Sequence, residues 1–222
     1  MNIASWFRRL STIALSILLS LTIFSAPANA FVGTDYDTLR LTNACASCDL
    51  SGLDLSGKDL YGAVLTGANL SNANLSGSLL VEINLEKATL TGANLSGATL
   101  MGSKLSEANL TGANLSNADL YNALLIKANL TRANLTEADL TSAVISDANL
   151  SNAVVTNAKL QGAILSDSKL VDADFSSSKM RNTKLSNATL TGTNFKAADL
   201  FNSLMPDKTT YNGDVSKFGA IQ

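Results

Sequence analysis

Ala93-Asn94-Leu95-Ser96-Gly97-Ala98-Thr99-Leu100 repeats a five-residue unit in which a large apolar residue follows a small one by two positions. Extended in both directions, that frame runs from Leu50 to Met205 without insertion or slip and sets a large apolar side chain at 32 successive fifth positions. A period of five suits neither common element. On an α-helix successive members are rotated by about 140° and spread over every face. On a straight strand an odd spacing sends alternate members to opposite sides. A chain that makes one short extended stretch and one turn every five residues points each Leu, and the small residue before it, at a shared axis. The spacing therefore predicts an all-β solenoid.

The outward positions decide how many five-residue sides close one circuit. At a spacing of 20, Tyr61, Val81, Met101 and Tyr121 fall in one column, whereas a spacing of 15 from Tyr61 gives Ser76, Thr91 and Ser106. Leu124, Val144 and Ile164 also align at 20, as do Phe175 and Phe195 on the inside. Lys87, Glu107, Lys127 and Asp147 alternate in sign along another column, which suits opposite charges on adjacent strands. Four sides per circuit follow, giving about eight coils and, at roughly 4.8 Å per coil, a rod on the order of 35 to 40 Å long. Two residues after the central Leu stand Gly92, Gly97, Gly112, Asn117, Asn122, Asn152 and Asp167, residue types that accept the positive φ of a turn. These mark the corners.

The tracts Ala68-Asn69-Leu70-Ser71-Asn72, Ala93-Asn94-Leu95-Ser96-Gly97, Ala113-Asn114-Leu115-Ser116-Asn117 and Ala133-Asn134-Leu135-Thr136-Glu137 resemble the A(D/N)LXX units of pentapeptide-repeat proteins. The resemblance covers residues 48–205 and implies a right-handed quadrilateral β-helix. The handedness comes from the family and not from the period. The Met205-Pro206-Asp207 exit also resembles the way many members leave the last coil.

The ends bound the biology. Residues 1–30 read as a secretory signal: Arg8 and Arg9 precede an apolar stretch from Leu10 to Phe24, and Ala28-Asn29-Ala30 forms a cleavage site before Phe31. The apolar stretch is short for a membrane span, so none is expected after cleavage. Residues 31–47 and 206–222 are expected to cap the repeat domain, because an open end of a β-helix exposes unpaired strand groups and invites end-to-end self-association. From Phe31 onward 14 Lys and Arg stand against 18 Asp and Glu, a net charge of −4 that gives nucleic-acid binding no electrostatic support.

Cys45 and Cys48 are the only cysteines, and both fall on inward positions at or just before the first coil. In an exported chain they suit a structural disulfide. The competing readings are a reduced buried pair, a redox dithiol without the usual strand-turn-helix context, and a metal site, which lacks two further ligands in a chain with no His. Lys58 is the one charged residue at an inward position. It is expected to reach solvent at the open first coil, since an unpaired buried ammonium costs several kcal/mol. A ligand contact there is the rival reading.

Nothing in the chain recommends catalysis or a cofactor. No His is available as a base near neutral pH, and no Ser occupies a nucleophile elbow or a phosphate-binding loop. The surface feature that the fold does not demand is apolar: Tyr61, Val81, Met101, Tyr121, Leu124, Ile126, Val144 and Ile164 make an oblique patch around one corner and the next side. Such patches tend to be contact sites, although cross-strand stacking alone also rewards apolar columns. Two functions are weighed. The first is a non-catalytic scaffold that binds another protein in the periplasm or thylakoid lumen. The second, implied by the family, is a DNA mimic that protects a topoisomerase by presenting a rod of negative charge.

Overall fold

In the computed structural model, which describes residues 30–221, parallel β-bridges join residues 20 apart on all four sides of each circuit. The unbroken series runs from Ala44↔Val64 to Lys184↔Leu204. Each side contributes a single bridging residue, the outward one before the central apolar residue. The register is visible in one column, Asn74↔Asn94↔Asn114↔Asn134. Leu95 N–H donates to the Asn114 carbonyl at 2.7 Å, Asn114 N–H to the Ala93 carbonyl at 2.9 Å, and Gly97 N–H to the Ser116 carbonyl at 2.9 Å. Each interior coil is thus hydrogen-bonded to the coils on either side.

The 32 frame residues from Leu50 to Met205 are all buried. Phe175 and Phe195 stack inside with ring centroids 5.6 Å apart, as a 20-residue circuit requires. Where the small inward position holds a hydroxyl, the group in most cases donates to a backbone carbonyl, either of its own turn or, as for Thr193 to Leu170, of the coil below. Ser78 Oγ donates to the Leu75 carbonyl at 2.6 Å and Ser178 Oγ to the Phe175 carbonyl at 2.6 Å, which meets the demand that a buried polar group be paired. Ser103 Oγ is the one buried side-chain oxygen among the described residues without a partner.

At nearly every corner the amide two residues before the next frame position donates back across the turn, as from Ala98 N–H to the Leu95 carbonyl at 3.1 Å; the corners after Ile145 and Val155 lack this bond. Gly97, the third residue of that turn, has φ +64°, which is the type II pattern. The glycines, asparagines and Asp167 expected at corners all have positive φ. So do Glu82, Lys87, Glu107, Lys127, Arg132 and Glu137, whose residue types gave no sign of a positive φ. No Val, Ile or Thr occurs at any positive φ among the described residues, consistent with the steric cost of a branched Cβ there.

The outward Asn or Asp has a second role that residue type alone did not disclose. Its carboxamide or carboxylate oxygen accepts the amide two residues on, as Asn109 Oδ1 does from Thr111 N–H at 3.2 Å, an Asx turn that leads the chain into the corner. Its amide nitrogen reaches the neighbouring coil, so that Asn94, Asn114 and Asn134 each donate to the Asn below at 3.2, 3.2 and 3.3 Å.

Helix α1, Ala30–Thr42, precedes the first coil and ends where Asn43 takes φ +54° and its amide donates to the Leu39 carbonyl at 2.8 Å. Leu39 is buried against the core. At the other end Thr210 pairs antiparallel with Leu204, a short 3-10 helix spans Ser216–Phe218, and Ile221 pairs parallel with Asn194. No helix among the described residues is long and apolar enough to cross a membrane. The expected signal segment, residues 1–30, lies outside the described residues except for Ala30.

The corners make a prediction. Replacing the exposed Asn117, φ +58°, with Val destabilises the fold by about 1 to 2 kcal/mol, whereas Asn117→Gly is near neutral or stabilising. Urea unfolding midpoints of the two variants test this.

Candidate functional site

The corner columns place the apolar patch. Tyr61, Met101 and Tyr121 are exposed on one corner, with Val81 half-buried between the first two. On the adjoining side Leu124, Val144 and Ile164 are joined by successive bridges and are each half-buried, as is Ile126 at the following corner. The structure adds Val64, 41% exposed, at the foot of that side, although Asn84 and Lys104 separate it from Leu124. It also adds Phe201, 67% exposed, at the far end of the Tyr61 column. The signal for Phe201 was its 20-residue register with Tyr61, masked by Thr141, Gln161 and Arg181 between Tyr121 and Phe201.

Polar groups trim the patch. The Tyr61 hydroxyl donates to the Glu82 carboxylate at 3.2 Å, and that bond, with the nearby negative charge, raises the phenol above its ordinary value. The tyrosine is therefore a neutral donor throughout the physiological range. In the alternating column only Lys87 and Glu107 come within ion-pair distance, at 3.9 Å and largely exposed. Such a pair contributes little to stability.

At the first coil Cys45 and Cys48 are joined in a disulfide with Cα atoms 5.4 Å apart. The Asp35 carbonyl oxygen of α1 lies 3.1 Å from Cys45 Sγ, and the Asp35 carboxylate accepts Asp49 N–H at 2.8 Å. Asp35, Cys45 and Cys48 are the one trio of metal-ligating side chains within reach of one another among the described residues. The sulfurs are bonded to each other and the carboxylate already serves an amide, so this trio clasps the helix to the coil and does not offer the thiolates a metal takes. Lys58 is exposed, as expected at a terminal coil, beside a groove of about 130 Å³ shared with Tyr36, Arg40 and Asn43.

The regular register, the Asn-bearing side and the type II corner define a repeat, and the family model for pentapeptide repeats matches it in eight copies over residues 45–80, 68–106, 103–141, 128–167 and 168–205. The chain belongs to the pentapeptide-repeat family. No curated protein matches it. Among solved pentapeptide-repeat structures, HetL from the cyanobacterium Nostoc sp. strain PCC 7120, involved in heterocyst differentiation regulation, is 30% identical. The alignment covers 76% of this chain and 91% of HetL, with a TM-score of 0.44. A pentapeptide-repeat protein of the Arabidopsis thaliana thylakoid lumen is 35% identical over 53% of this chain and 71% of its own, with a TM-score of 0.41. A trypsin-treated form of QnrB1, a plasmid-mediated fluoroquinolone resistance protein, is 20% identical over 70% and 81%, with a TM-score of 0.63. At that identity QnrB1 speaks to the fold alone. Pentapeptide-repeat neighbours imply a right-handed β-helix, and the family is generally one of non-catalytic structural or interaction modules.

Two outcomes are expected at the ends of this pentapeptide-repeat domain. Reducing the Cys45–Cys48 bridge lowers the unfolding free energy by about 2 kcal/mol, the chain-entropy value for so short a loop, read as a shift in denaturation midpoint with reductant. At the opposite end Lys217 and Thr209 hydrogen bonds hold the Asp207 carboxyl down at about 2. A folded value below the unfolded one stabilises the segment above the ordinary carboxylate range, and that contribution is lost as pH falls through about 2. Between pH of about 4 and about 2, the Ile221 amide therefore loses exchange protection relative to Leu115 in the central coils.

Proposed function

We propose that this chain is an exported, non-catalytic scaffold of about eight coils, capped by residues 31–47 and 206–222, whose apolar corner binds another protein. The observation that carries the reading is the run of Tyr61, Met101 and Tyr121 exposed on one column, beside bridged Leu124, Val144 and Ile164, on an exterior that is mostly polar and charged and elsewhere carries apolar side chains singly, as at Leu79 and Val154. The turns and ladders need none of these apolar side chains. Packing of neighbours in a column accounts for part of their presence, but not for aromatic rings left half in water.

The cleavage-site pattern at Ala28-Asn29-Ala30 supports export, and the Cys45–Cys48 disulfide suits an oxidising compartment such as periplasm or thylakoid lumen. The DNA-mimic reading finds less support. It asks for a continuous negative face, whereas the column of Asp119 and Asp139 continues as Lys159 and Lys179, and another alternates Lys87, Glu107, Lys127 and Asp147.

The decisive experiment replaces Tyr121, Leu124 and Val144 together with Ser. The variant is expected to keep the parental unfolding midpoint while losing the protein partner cross-linked to the parent in its native compartment, or losing self-association by light scattering. An intact mass beginning at Phe31 accompanies that result. The same partner held with undiminished yield by the triple variant overturns the corner as the binding surface.

A further inference from the structure

The last coil is closed unevenly. On one side Ile221 N–H donates to the Thr193 carbonyl at 2.8 Å and Phe195 N–H to the Ile221 carbonyl at 2.7 Å. On another, Tyr211 N–H donates to the Ser203 carbonyl at 2.8 Å and Met205 N–H to the Thr209 carbonyl at 2.7 Å. The side between them, residues 198–202, is passed over. One coil earlier, Met180 N–H and Asn182 N–H donate to the carbonyls of Asp199 and Phe201 at 2.8 and 3.0 Å, and the Ser178 carbonyl accepts from Asp199 N–H at 2.9 Å. The equivalent groups on the last coil, Leu200 N–H, Asn202 N–H and the Ala198 carbonyl, have no partner among the described residues. Leu200 itself is only 1% exposed. Beside this edge lies a groove of about 490 Å³, walled by residues 198–202 on one flank and by Thr210, Tyr211, Asn212 and Gly213 on the other.

We propose that this edge binds an extended peptide segment of a partner protein, added in parallel as the next strand of the ladder. Three unpaired backbone groups in strand register call for an occupant with its own unpaired backbone, and a peptide chain supplies them. Ile221 already occupies the neighbouring edge in this way, and its short extended segment is the template for the occupant. Side-chain alternation sets what the segment carries. Its residue above Leu200 points inward at the rim of the cap, where Leu200 and Val215 are already buried, and is apolar. The residue two before it, above Ala198, is small, and those above Asp199 and Phe201 face outward.

The rim adds selectivity. The Arg181 guanidinium lies 5.5 Å from the Phe201 ring centroid and is ion-paired with Asp199, which holds the exposed ring beside the groove. From residue 176 onward six Lys and Arg stand against three Asp, so this end favours acidic flanks on the segment.

The proposal rests on the scaffold reading but uses a different part of the molecule, since Thr141, Gln161 and Arg181 separate Phe201 from the Tyr121 corner. The test uses the full mature chain and an acetylated, amidated peptide Glu-Ala-Thr-Leu-Tyr-Glu, with Thr set above Asp199. Saturable binding is expected, with slowed amide exchange at Leu200 and Asn202. Methylating the Thr nitrogen, which removes the donor to the Ala198 carbonyl, is expected to weaken binding about tenfold. Phe201→Ser also weakens it with the unfolding midpoint unchanged, whereas the corner triple variant binds the peptide as the parent does. The proposal is overturned by no saturable binding, by equal affinity of the methylated peptide, or by protection of both amides without peptide in a protein of dimeric mass, which assigns the edge to a second copy.

Discussion

The parallel ladder between residues 20 apart is the interaction on which everything else rests. An isolated five-residue side satisfies almost none of its own backbone polar groups; only the next circuit accepts and donates them. Leu95 bonding to Asn114 and Asn114 returning to Ala93 illustrate a single arrangement repeated from end to end. Once that register is imposed, the interior follows. Large side chains alternate with Ala because a four-sided tube this narrow has no room for two large residues on each side. The corners follow too, since a right-angled turn every fifth residue requires one residue of positive φ.

Much of this was legible in the sequence because a strict period leaves one geometry that buries every Leu. The choice of four sides rested on outliers such as Tyr61 and Val81, or Phe175 and Phe195, and the bridges and the aromatic stack follow that register. The charged corner residues were illegible for a physical reason. Lys87 and Arg132 carry no signature of positive φ; the turn imposes it on them, and the ladder on both sides supplies the compensating energy. The Asx role of the outward Asn escaped for a similar reason, because an Asn on an exposed side reads equally well as mere polarity.

The candidate sites were less legible than the fold. Sequence identified the columns of the apolar corner but not their accessibility, and Val81, Leu124 and Val144 are half-buried because each is shielded by neighbours one coil above and below. Phe201 was hidden by the polar residues that interrupt its column. The open edge at residues 198–202 had no local signal at all. It exists because the C-terminal segment closes two flanking sides and skips one, a matter of tertiary path and not of composition.

The outward position before each Leu is a place where this chain varies its chemistry widely, holding Asn, Asp, Lys, Thr, Val, Leu or Ile without disturbing the tube. Sequence distance then translates into a fixed displacement on the surface: twenty residues move a side chain one rung along the rod, about 4.8 Å, and five move it to the next wall. The exterior behaves as a ruled grid whose cells can be rewritten one at a time, and a molecule that touches two of its columns measures a length as well as recognising a chemistry.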